Sequence, residues 1–206
     1  MELENLADPK HTALLLVECQ KGVIGSESSL PALAEAAAGG LRSALGELVT
    51  AARGAEVKVV HGLAMVRADQ WGSSRNARLF GVTRNASVQQ HPGTTATEPI
   101  DEVGYVDGSD VLMPRFHGLA PSSGTELDRL LRNEAVTTVV VAGVSLNIAI
   151  PNTVFDLVNA GYQVVVPTDA VKAVPPEYGE AVLEHTLSLV AALVDVAALV
   201  GVWTAS

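Results

Sequence analysis

Unbroken apolar runs alternate along this chain with stretches in which apolar residues recur at helical spacing. Thr12–Val17 is a continuous, largely apolar run bounded by polar residues, the pattern of a strand buried on both faces. Leu41, Leu45, Leu48 and Val49 then share one helical face, and Gly54 reads as the helix stop. Val57–Leu63 reads as a second strand, Val111–Met113 as a short third, β-branched Thr137–Val144 as a fourth and Tyr162–Pro167 as a fifth. Leu127, Leu130 and Leu131 mark the helix between the third and fourth. Val154–Ala160 is helical, with Gly161 at its C-terminal end, and Pro151 suits the first turn of that helix. Leu183, Leu187, Val190 and Val194 form a last amphipathic stripe, before a short apolar segment near Leu199–Trp203.

Strand and helix repeated in this order predict an α/β fold, a three-layer α/β/α sandwich with a central parallel sheet, because parallel neighbours need right-handed crossovers. The 206 residues, 48 % of them hydrophobic, suffice for one domain over 1–206. Residues 64–108 are the exception to the alternation. They are rich in Gly, Ser, Asn, Pro and Thr, and read as a lid or interface arm.

Charge and composition narrow the partners. Against 23 Asp and Glu stand 13 Lys and Arg, a net charge of −10, which repels phosphate backbones and anionic lipid; no nucleic acid or membrane partner is expected. The polar, acidic segment Met1–Lys10 has no secretory pattern, so a cytoplasmic location is expected. A single cysteine, Cys19, excludes an internal disulfide and a Cys-based zinc cluster. No Gly-x-Gly-x-x-Gly or Gly-Lys-Ser/Thr loop follows a strand, and no histidine pair stands at ligand spacing, so neither cofactor nor metal is expected.

In open α/β sheets, ligands sit beyond the carboxyl ends of the strands, near the reversal of strand order. That rule gathers Glu18 and Gln20, His61, Arg115 and His117, and the stretch Ser145–Asn152 around one mouth. Burial at the end of an apolar strand suits Glu18 to general acid/base work, although a carboxylate merely paired with a nearby Arg fits the same pattern. His61 reads as a substrate contact or a hydrogen-bonded core residue. Cys19, inside the strand beside Glu18, reads as buried rather than nucleophilic. Arg75 and Asn76, in the run Trp71–Phe80, suit a carboxylate or amide on a small-molecule ligand, or form a surface turn. The helix that begins near Ile148 and Ala149 has free N–H groups that favour developing negative charge, and Asn147 and Asn152 flank it. Trp71, Leu79 and Phe80 in the irregular segment predict a homodimer or higher homo-oligomer.

Gly143-Val144, a small residue six positions after Gly143, then Thr153, Asp156, Gly161-Tyr162 and Asp169-Ala170 resemble the isochorismatase-like, or cysteine hydrolase, superfamily. So do Ala13–Gln20, similar to a first strand ending Asp-x-Gln, and Thr125–Leu127 with Leu130–Arg132. The resemblance covers roughly residues 12–200. It implies hydrolysis by an Asp, a Lys and a Cys. Here the Asp falls on Glu18, the Lys on Met113 or Pro114 with Arg115 the nearest cation, and the Cys on Ala149. It therefore implies a small-molecule hydrolase without a covalent cysteine intermediate, as in isochorismatases that protonate a vinyl ether from the first-strand carboxyl. Glu18 would be the acid/base, and Arg115 with Arg75 or His117 would hold an anionic substrate. A catalytically inactive member that binds a metabolite or serves as a structural subunit is the alternative.

Overall fold

A computed structural model describes residues 2–205. Seven strands are described: β1 Thr12–Val17, β2 Lys58–Ala64, β3 Val111–Arg115, β4 Thr138–Val144, β5 Gln163–Pro167, β6 Val171–Lys172 and β7 Ala192–Val194. They form one parallel sheet in the order β3-β2-β1-β4-β5-β7, with β6 extending the pairing of β4 at Gly143 and Val144. The helices are α1 Leu3–Leu6, α2 Lys21–Ile24, α3 Pro31–Ala38, α4 Leu41–Gly54, α5 Arg78–Arg84, α6 Leu127–Asn133, α7 Ala149–Asn159, α8 Pro176–His185 and α9 Val196–Thr204. None is long and apolar enough to cross a membrane among the described residues.

Both sheet faces carry a core, which is why the central strands read as unbroken apolar runs. Leu14 and Leu16 of β1 pack with Leu41, Leu45 and Leu48 of α4 and Leu199 and Trp203 of α9. Ala13, Leu15 and Val17, pointing the other way, pack with Leu127 of α6, Ile150, Val154 and Leu157 of α7 and Val182 of α8. Each such buried Leu contributes about 1.5–3 kcal/mol relative to its exposed state. The result is the three-layer α/β/α arrangement that the alternation predicts.

The C-terminal part differs from its sequence reading. The stripe Leu183–Val194 is not one helix. α8 ends at His185, a 3₁₀ turn takes Leu187–Leu189, and β7 follows at Ala192–Val194. The apolar segment after it is α9, whose N-cap Asp195 accepts from Ala198 N–H at 2.7 Å. Within 64–108, α5 and a 3₁₀ turn at Thr95–Thr97 are regular.

One polar cluster fastens the end of that segment to the sheet. Asp110, with a fully buried side chain, accepts from Arg53 of α4 at 2.5 Å, from Val106 N–H at 3.1 Å, and contacts His61 Nε2 of β2 at 3.0 Å. Burial alone would raise the Asp110 pKa, but the hydrogen bonds from Arg53, His61 and Val106 together hold it below the usual carboxylate value. Burial lowers that of His61, against the pull of Asp110. An unfolded chain therefore binds more protons than the native one once pH falls below the ordinary histidine value of 6.5, and again below that of aspartate. Stability should fall progressively from there, and His61→Gln should remove the upper limb. Urea midpoints across that range check this; an unchanged wild-type midpoint through pH 6.5 would contradict it.

Candidate active site

The strand order reverses between β1 and β4, and the carboxyl ends of both open onto a cavity of about 200 Å³. Glu18 follows β1 directly. Its left-handed φ of 54° turns the chain out of the sheet, while its N–H still donates to Gly62 O at 2.8 Å. The carboxylate reaches across to the end of β3, where Glu18 Oε1 accepts from Arg115 Nη2. Arg115 Nη1 donates to Gly118 O at 2.7 Å, which fixes the guanidinium from its far side. Both side chains are largely shielded, 15 % and 13 % exposed, so their attraction is little screened by solvent. Glu18 Oε2 has no hydrogen-bond partner among the described residues.

The opposite wall comes from the β4–α7 junction. The Val144–Ser145 peptide is cis, and Ser145 O accepts from Ile148 and Ile150 N–H, both at 3.1 Å. Ala149 opens α7 with its methyl buried in the cavity wall, and its N–H has no acceptor among the described residues. An unpaired N–H at the head of an 11-residue helix favours negative charge. Glu18, Arg115, Ile148 and Ala149 are thus brought together around one cavity, with His117 exposed at its mouth.

The other residues expected here lie outside the wall. Gln20 is fully buried, donating to Ala64 O, Gln90 Oε1 and Ala96 O and accepting from Ala64 N–H at 2.7 Å. It ties Ala64, at the end of β2, to Gln90 and Ala96 of the irregular segment. His61 is buried against Asp110. Asn147 is tied to Val174 by bonds of 2.8 and 3.0 Å, and Asn152 is half-buried along α7. Arg75 and Asn76 are exposed beyond the cavity rim. Of the apolar trio in the irregular segment only Trp71 stands free, 78 % exposed, whereas Leu79 and Phe80 line the cavity. Pattern reading passes over Arg84 and Gln90, which also line it; no local sequence signal marks either.

Cys19 is packed behind the site, 2 % exposed, with its thiol bonded to Val17 O at 3.6 Å. Burial first and the Glu18 charge second push its pKa well above the ordinary thiol range. No cluster of three metal-ligating side chains occurs among the described residues.

The isochorismatase domain matches residues 12–198. The uncharacterized isochorismatase family protein YwoC of Bacillus subtilis (strain 168) is 34% identical over 86 residues. That match covers 42% of this chain and 44% of the relative, less than half of either. The crystal structure of an isochorismatase family protein from Desulfovibrio vulgaris subsp. vulgaris str. Hildenborough superposes with a TM-score of 0.79 at 23% identity, over 94% of this chain and 98% of that one. N-carbamoylsarcosine amidase from Thermoplasma acidophilum superposes with a TM-score of 0.69 at 20% identity, over 90% and 96%. The domain match encloses all seven strands and the cavity between them, and the chain belongs to the isochorismatase family.

Proposed function

We propose that this chain is a small-molecule hydrolase that works by general acid/base chemistry, without a covalent cysteine intermediate. The observation that carries this reading is the convergence of Glu18, held by Arg115, and the head of α7 on one cavity from which the only thiol is excluded. Glu18 takes a proton from water or delivers one to the leaving atom. The Ala149 N–H faces the charge that develops on the substrate. Arg115 is spent on Glu18, so its part is to orient the carboxylate. The family resemblance points the same way, since its isochorismatases dispense with the cysteine that its amidases use.

A binder without activity is the second reading, favoured by the charges of Glu18 and Arg115 being satisfied by each other. A turnover screen over small vinyl ethers, amides and ureido acids, run with wild type and Glu18→Gln side by side, separates the two. Wild-type turnover lost in the variant supports the enzyme; no turnover on any class supports the binder.

Iodoacetamide should leave the native protein unmodified and its turnover intact, because Cys19 is buried and its thiolate is disfavoured. Intact mass and residual rate check this together. Stoichiometric alkylation of the folded protein with loss of rate, prevented by substrate, would overturn the cysteine-free mechanism.

A further inference from the structure

We propose that residues 67–88 are a lid over the cavity, and that Arg84 on it supplies the charge that selects an anionic ligand with an apolar body. The inference rests on the cavity being the ligand site. No residue from 67 to 88 is buried in the core, and its half-buried residues, Ala86 apart, all line the cavity. Apart from bonds to the adjoining Gln89, one hydrogen bond among the described residues joins this stretch to the rest of the fold: Gly118 N–H donates to Ser74 Oγ at 3.1 Å. A segment with no core contact and one remote hydrogen bond opens at low free energy cost. What it covers is therefore decided largely by what fills the cavity.

Charge supplies the selectivity. The charged groups in the wall, among the described residues, are Glu18, Arg115 and Arg84. The first two neutralise each other. Among the described residues the Arg84 guanidinium has no ion-pair or hydrogen-bond partner, in a chain where acidic residues outnumber basic ones by 23 to 13. Arg84, a half-buried residue that lines the cavity together with Leu79, Phe80, Phe116 and Ile148, leaves it with a net positive charge within largely apolar walls. An anion there would gain a charge-assisted hydrogen bond and tie the lid shut at the same time. A volume of about 200 Å³ exceeds the roughly 150 Å³ that holds benzene, so one ring with a small anionic group fits.

The test uses benzoate and its neutral analogue benzamide as probes. Met65 lines the cavity and Met113 lies in the core, so methyl-labelled methionine reports occupancy directly, with Met65→Leu assigning the signal. Benzoate should shift the Met65 methyl at lower concentration than benzamide. Arg84→Gln should weaken benzoate about 10- to 100-fold and leave benzamide unchanged, the loss expected for a hydrogen bond to a charged group. Arg84→Lys should restore part of it. Limited trypsin digestion reads the lid: benzoate should slow cleavage after the exposed Arg75 and Arg78 in wild type and not in Arg84→Gln. Equal affinity for the two probes, or a benzoate preference that survives Arg84→Gln, would overturn the role of Arg84 while the cavity remains a ligand site. Benzoate bound through Arg84 without slower cleavage would overturn the lid. A Met65 signal that neither probe moves would remove the cavity as a ligand site and this inference with it.

Discussion

Turnover should fall by about 10²–10⁴ in Glu18→Gln, the usual loss when a general acid or base is removed. That range corresponds to about 2.7–5.5 kcal/mol in activation free energy. Gln has the length of Glu and can still accept from Arg115 through its carbonyl oxygen, so the cavity wall is kept while the exchangeable proton is lost. Circular dichroism should show an unchanged fold. Glu18→Asp is the informative companion, because it keeps a carboxyl group and draws it back by one methylene from Arg115. An activity between those of wild type and Glu18→Gln would tie the rate to where the proton sits. Near-wild-type turnover in Glu18→Gln on the same substrate would make Glu18 a structural acid. The next residue to test would then be His117, which lines the cavity; His61 does not, being buried against Asp110.

How much of this was legible in the sequence depended on whether the physics was local. The strands β1, β4 and β5 announce themselves through runs of buried apolar residues and β2 through a run broken at Lys58 and His61, and each falls within a residue of its expected limits. The strand β7 has three half-buried residues, too few to impose a period of two, and its apolar positions happened to continue the spacing of α8. α9 is apolar nearly all round and so carries no stripe. The site divides in the same way. Glu18, Arg115 and Ala149 could be placed at one cavity from the sequence because they sit at strand ends and a helix start. The role of Gln20 was hidden because its amide is satisfied 44 to 76 residues away. Arg84 was hidden because its meaning lies in the lack of a partner, which no spacing encodes.

Gly143→Ala should be the most destabilising single-methyl change at the heart of the sheet. Gly143 sits in β4 opposite Val17 of β1 on one side and Val171 of β6 on the other, so the backbone is held from both edges. A Cβ built there would lie 2.3 Å from Val17 O and 2.7 Å from Cys19 Sγ, and the residue's φ is +110°, a region closed to L side chains without strain. Neither neighbour can withdraw. Val17 O belongs to the central strand, and Cys19 is packed into the core beside Glu18. Overpacking and strain of this kind cost about 4 kcal/mol or more, a large share of the stability of a typical domain. For a chain of this length that lowers the melting temperature by about 10 °C or more. Gly201→Ala is the matched control: nothing lies within 4 Å of its added methyl, and it sits in helix α9, where Ala is worth about 0.5–1 kcal/mol over Gly. Thermal melts of the pair should therefore move in opposite directions. A Gly143→Ala melt within a degree or two of wild type would mean that β1 and β4 can part without loss, and the junction that carries Glu18 and the head of α7 would not be the rigid frame that acid/base chemistry at this site requires.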